Sequence, residues 1–184
     1  MTSSAHNTNT DRLSDQREII DCIYRYCRGI DRRDYDLARS TMHPDCQDNH
    51  GDYEGGVDGL IEWTARRHLN LAQCMHCIMN CLVEFVGPDT AVVESYFVRM
   101  RVDQGAEGAG GVVSQAWARY VDVFERRSGE WKISQRKVVW EALVDQPAQL
   151  LARPGLWQKR DKGDPLYAAQ QFARERAGLA SKEL

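Results

Sequence analysis

The chain has 184 residues, 42% of them hydrophobic and 28% charged, with a formal net charge of −3. That length suits one domain with a sizeable core, and the mixed, slightly acidic charge excludes the basic stripe of a nucleic-acid surface. The polar start "MTSSAHNTNTD" lacks a signal-peptide pattern, and no apolar run reaches the roughly 18 residues of a membrane span. A cytoplasmic protein without a membrane partner is expected, its six cysteines held as thiols.

Residues 1–11 read as a disordered tail. Asp11 or Ser14 caps a first helix, in which Ile19, Ile20, Ile23, Tyr24, Cys27 and Ile30 recur at helical spacing up to about Arg33. "DYDLARSTM" reads as a short second helix, "CQDNH" as a short strand, "EGG" as a turn and "VDGLIEWTARRHLN" as a third helix. From residue 74 the period changes to two. "CMHCIMNCLVEFV", "TAVVESYFVRMRV", "VVSQAWARYVDVFERR" and "WKISQRKVVWEALV" read as long strands, joined by "GPD", the Gly-rich "DQGAEGAGG" and "SGE". Helices followed by strands give an α+β class with an antiparallel sheet. After Val144, Pro147, Pro154 and Pro165 break the pattern. Residues 145–184 read as an extension over a domain of residues 12–144, with a short helix in "GDPLYAAQQFARERAG".

The segment "CMHCIMNC" (residues 74–81) suggests zinc at first sight. A CxxC knuckle needs a turn to bring two thiolates onto one ion. In a strand Cys74 and Cys77 point to opposite faces, so no metal is expected. Alternation puts Cys74, His76, Ile78, Asn80 and Leu82 on one face and Met75, Cys77, Met79 and Cys81 on the other. That leaves His76 and Asn80 as polar candidates for a site on an otherwise apolar face, and His76 is then either a hydrogen-bonded core histidine or a general base. Asp31 lies one turn after Cys27 at the end of the first helix, where a carboxylate needs a partner. Asp34 or Asp36 can cap the next helix in its place. Paired with His76, Asp31 would hold one ring nitrogen and leave the other free to take a proton.

The ordered set "GID", "HPDCQDNHGDYEGGVDGLIEW", "HCIMNCLVEFVGPDTAVVESYF" and "RYVDVFERRSGEWKI", over about residues 15–145, resembles the SnoaL-like branch of the nuclear transport factor two-like superfamily. That resemblance implies a cone-shaped α+β barrel, a curved antiparallel sheet wrapped around the N-terminal helices with a deep apolar pocket. Members include polyketide cyclases, scytalone dehydratase, ketosteroid isomerase, hexachlorocyclohexane dehydrochlorinase and bile-acid 7α-dehydratase. The last two carry an Asp ending the first helix and a His on the following long strand, the places of Asp31 and His76. Tyr26 matches a tyrosine of the bile-acid enzyme.

The resemblance also bears on "DNHG", where Asp48 and His50 would face the cavity and assist a leaving oxygen, or else form a local hydrogen-bonded pair. Arg119 matches the branch pattern, with a plain salt bridge as the alternative. Phe97 and Arg99 face the cavity by alternation, which a one-residue register slip would reverse. Trp117 and Trp140 fit the core equally well.

The implied activity is a cofactor-independent lyase acting on a small hydrophobic aromatic or cyclic hydroxylated compound. Dehydration is the first reading and a retro-aldol-type loss of formaldehyde is allowed. An isomerase, a cyclase or a non-catalytic binding domain is the alternative. A homo-oligomer, trimer or dimer, is expected from the apolar outer face of an open sheet. The Gly-rich connection and the extension are expected near the pocket mouth.

Overall fold

The computed structural model describes residues 9–103, 111–148 and 158–179. Residues 1–8 of the expected tail, most of the Gly-rich connection and residues 149–157 and 180–184 of the extension lie outside these.

Helix α1 spans Asn9–Asp31, so residues 9–11 belong to it and not to a tail. Its buried stripe is Ile19, Cys22, Ile23, Tyr26, Cys27 and Ile30, the spacing of one helical face. Tyr24, expected on that stripe, is exposed. The chain turns at Arg33, which has a φ of 54°. Helix α2 (Tyr35–Ser40) begins at once, with the Asp34 side chain accepting the Leu37 N–H at 3.2 Å. Gly29 makes this turn possible: a Cβ there would lie 2.6 Å from the Ala38 nitrogen and 2.8 Å from the Asp34 oxygen. The two helices therefore meet backbone to backbone, which sets the position of Asp31.

The remaining elements are β1 (Met42–Asn49), β2 (Glu54–Gly56), α3 (Val57–Arg67), β3 (Leu71–Phe85), β4 (Thr90–Asp103), β5 (Gly111–Arg127), β6 (Glu130–Ala148) and α4 (Pro165–Arg176). "EGG", expected as a turn, forms the short strand β2. The strands make one six-stranded sheet in the order β2-β1-β6-β5-β4-β3. β1 runs parallel to β6, and every other neighbouring pair is antiparallel.

This order corrects the expected cone-shaped barrel and wholly antiparallel sheet. The sheet is mixed and open, with β2 and β3 as its two edges. A barrel needs its first and last strands to share a ladder, and β2, at three residues, offers little to pair with. The β3 edge is met instead by residue 158: the Gln158 amide donates to the Cys74 carbonyl at 3.0 Å and accepts, through its backbone oxygen, the Gln73 amide at 3.3 Å.

α1 and α3 cover one face of the sheet, where Phe97, Tyr120, Phe124, Trp131 and Ile133 join their apolar stripes in a single core. Bulges decide which strand residues reach it, two of them at the core. In β3, Ile78 pairs with Phe97 but Cys81 with Ser95, so one extra residue intervenes and the parity reverses. In β6 the same happens between Ile133, opposite Phe124, and Gln135, opposite Val123. None of the helices in the described residues is long and apolar enough to cross a membrane.

Candidate active site

The end of α1 and the early part of β3 are brought together by the tight α1–α2 turn. Asp31 Oδ1 lies 2.6 Å from His76 Nδ1, and Asp31 Oδ2 accepts the His76 backbone N–H at 2.9 Å. Both side chains are nearly buried, 8% and 7% exposed. Two contacts to one carboxylate fix the imidazole's position and orient its Nε2 away from Asp31. Burial alone would push the His76 pKa down; the charge and hydrogen bond of Asp31 outweigh it, and the pKa is raised to about 10.

His76 lines a cavity of about 60 Å³ together with Tyr26, Ile30, Trp63, Phe97 and Tyr120. Its aromatic floor is ordered: Phe97 stacks on Tyr120 with centroids 4.2 Å apart, and Tyr26 meets Tyr120 edge-on at 6.1 Å. His50 lines the same cavity. Its Nδ1 makes a short contact with the fully buried carboxylate of Asp48, so a second histidine–carboxylate pair faces the space that His76 faces. Trp140 holds the His50 backbone by donating its Nε1–H to the carbonyl at 3.1 Å.

Beneath the floor lies a group that sequence reasoning missed. The Arg136 guanidinium is fully buried and bound by both oxygens of Asp122, at 2.8 and 2.7 Å. It sits 3.8 Å from the Tyr120 ring centroid and 4.3 Å from that of Tyr26. Plain alternation from Trp131 and Ile133 sends Arg136 outward; the bulge brings it in. Asp122, at an inward position between Tyr120 and Phe124, was the visible signal that a buried cation is needed.

His68 was missed as well. It follows α3, lines the cavity, and its Nδ1 lies 2.8 Å from Arg160 Nη2. Arginine only donates, so Nδ1 accepts and the ring is neutral with its proton on Nε2. Burial, with the Arg160 charge next, pushes the His68 pKa down to about 3. Arg160 also donates to the carbonyls of Asp31 at 2.9 Å and Leu71 at 3.3 Å. It thereby satisfies open acceptors at the end of α1 and the start of β3. Nothing near His68 in sequence signals this, because Arg160 is 92 residues away.

Of the residues singled out from sequence, Tyr26, His50, His76, Phe97 and Arg99 line the cavity, and Asp31 and Asp48 stand directly behind the two histidines. Two others do not belong there. Asn80 is exposed, because the β3 bulge reverses the face after Ile78. Arg119 lies on the opposite face of the sheet from Ala118 and Tyr120 and pairs with Glu94 at 3.2 Å and Glu141 at 3.4 Å. Trp117 is on that outer face too, while Trp140 borders the cavity. Cys74 is buried and Cys77 exposed, as alternation required. Asp31, Cys74 and His76 do offer ligand atoms within 4.8 Å of one another, a set with the composition of a metal site.

The SnoaL-like domain family matches residues 11–137. A type-2 hexachlorocyclohexane dehydrochlorinase superposes with a TM-score of 0.70 at 21% identity, covering 80% of this chain and 99% of that one. The type-3 enzyme from Novosphingobium barchaimii LL02 gives 0.67 at 21%, covering 80% and 100%. A Novosphingobium aromaticivorans protein provisionally described as a scytalone dehydratase gives 0.67 at 16%, also covering 80% and 100%. At such identities these likenesses show a shared fold. No curated protein matches significantly.

Proposed function

The chain belongs to the SnoaL-like domain family, and on that footing we propose that it is a cofactor-independent lyase for a small aromatic or cyclic hydroxylated compound. The observation that carries this reading is the Asp31–His76 pair opening onto an aromatic cavity. Neutral His76 donates its Nδ1–H to Asp31 and takes a proton from substrate carbon through Nε2. The electron pair of that C–H bond becomes the new double bond, and the neighbouring C–O bond breaks with its own pair. His50, across the cavity, protonates the departing oxygen, and Asp48 stabilises the charge change on His50. Asp31 stabilises the imidazolium formed at His76. General base catalysis of this kind contributes about 10²–10⁴-fold. The similarity in fold to dehydrochlorinases, which also carry out eliminations, agrees with this class of chemistry.

A single aromatic ring needs more than 60 Å³, so substrate entry moves long rim side chains such as Arg67 and Trp140, both about two-fifths exposed. Exposed Trp117 and Val144, which share the outer face of β5 and β6, fit a homo-oligomer.

The test is a screen of hydroxylated aromatic and polycyclic compounds with wild type and His76→Ala side by side, after treatment with EDTA. Elimination product from the metal-free wild type alone supports the reading. Turnover that needs added zinc would assign Asp31, Cys74 and His76 to a metal instead, and equal turnover by His76→Ala would remove the base.

A further inference from the structure

The cavity is aromatic at its floor but cationic at its rim. Arg67, Arg99 and Arg101 all line it. Arg99 is the cross-strand partner of His76, and Arg101 that of Cys74. Both side chains therefore project from the sheet face that carries the dyad, from backbone positions about 7 Å apart along β4. Arg67 has a counter-ion in Asp52 at 3.5 Å. Arg99 and Arg101 have none among the described residues, and the Nε of each is buried without an acceptor. Burial lowers the Arg99 pKa, and the like charge of Arg101 lowers it further. Trp140, 5.6 Å from the Arg99 guanidinium, offers a ring face but accepts none of its in-plane N–H groups.

Two adjacent half-buried cations, each with a buried Nε donor left unused, are costly to fold unless an anion completes them. We infer that Arg99 and Arg101 form a carboxylate subsite, so that the substrate is an aromatic or cyclic acid whose carboxylate lies across the strand from His76. The planar fork of arginine suits a carboxylate in two-point contact. Binding there sets the distance between the acid group and the carbon that His76 deprotonates. It also offsets one of the two positive charges as the substrate arrives. The inference rests on the cavity being the substrate site, not on which bond breaks within it.

The experiment is calorimetric titration of the whole protein with trans-cinnamate, with cinnamamide as its uncharged counterpart, and with inorganic phosphate. Wild type is expected to bind cinnamate about tenfold or more tighter than cinnamamide, and the preference is expected to shrink with salt. Arg99→Met and Arg101→Met, each checked for folding by circular dichroism, are expected to lose the preference, and Arg99→Lys to keep part of it. Arg119→Met, on the opposite face of the sheet, is expected to keep it in full, and because binding is read without turnover the result stands apart from the lyase reading. Equal binding of the two organic probes by wild type, binding of neither, or phosphate binding as tight as cinnamate overturns the carboxylate subsite.

Discussion

Of the three histidines that line one cavity, two are driven to opposite protonation states. His76 meets a carboxylate and is held as a strong base, its pKa raised to about 10. His68 meets a guanidinium and stays neutral, its pKa pushed down to about 3. Both are largely removed from water, and burial acts in the same direction on each, against the charged ring. The partner decides whether burial prevails: a helix-end aspartate overturns it on one side, and an arginine from beyond the last strand reinforces it on the other. A single apolar pocket thus presents one group that takes protons and another that can only donate a neutral N–H.

Breaking the His76 side of this contrast should have the largest effect. Asp31→Asn removes the charge that opposes burial, so the His76 pKa is expected to fall from about 10 to below its ordinary value near 6.5. The tautomer is also no longer held, and the rate on any substrate found should drop by about 10²–10⁴-fold. Histidine titration by NMR and single-turnover rates measure the two effects. An unchanged His76 pKa would show that the carboxylate does not control the ring.

Arg160→Ala breaks the other side. The His68 pKa should then rise from about 3 but stay below 6.5, because burial, the larger cause, remains, and stability should fall by about 1–3 kcal/mol as the Asp31 and Leu71 carbonyls lose a buried donor. Urea unfolding and the His68 NMR titration test this together, and a loss of stability with His68 still untitrated above pH 4 would separate the two roles.

The pH dependence of stability sharpens the contrast without any mutation. His76 binds its proton more tightly in the folded state, so its contribution is complete below about pH 6.5 and is lost as pH rises through about 10. His68 binds its proton less tightly when folded, so its contribution is complete above about pH 6.5 and is lost as pH falls toward 3. Thermal melts should therefore show an alkaline decline that His76→Gln reduces and an acid decline that His68→Gln reduces. Rates through His76 as a base should climb with pH above 7, since the free base is scarce at neutral pH.

The smallest effects are expected away from the cavity. Arg119→Ala removes half-exposed pairs with Glu94 and Glu141 and should cost about 0–1 kcal/mol. Asn80→Ala, at an exposed position, should stay within about 0.5 kcal/mol. Neither should alter turnover; a tenfold loss in either would place that residue back in the site.

Legibility from sequence followed the range of the interaction that mattered. The Asp31–His76 pair was readable because each residue is a polar group at an apolar position of its own element, one on a helical stripe and one on a strand face. Asn80 and Arg136 were misread or missed for one shared reason. Each follows a bulge, and one extra residue sends every later side chain to the other face. Arg119 was drawn into the site by family pattern alone, although it alternates with Ala118 and Tyr120 and so faces away from them.

The amino-acid order by itself determined the α+β class, the positions of the long strands, the apolar stripe of α1 and the placing of Asp31 and His76 as polar groups at apolar positions, because each is written in local periodicity. Only the tertiary structure decided that the sheet stays open, that Arg136 is buried against Asp122, that Arg160 reaches the end of α1, and that two arginines without a counter-ion among the described residues share the cavity with His76. Those features depend on bulges and on contacts between residues as many as 130 positions apart, where neither spacing nor composition carries a signal.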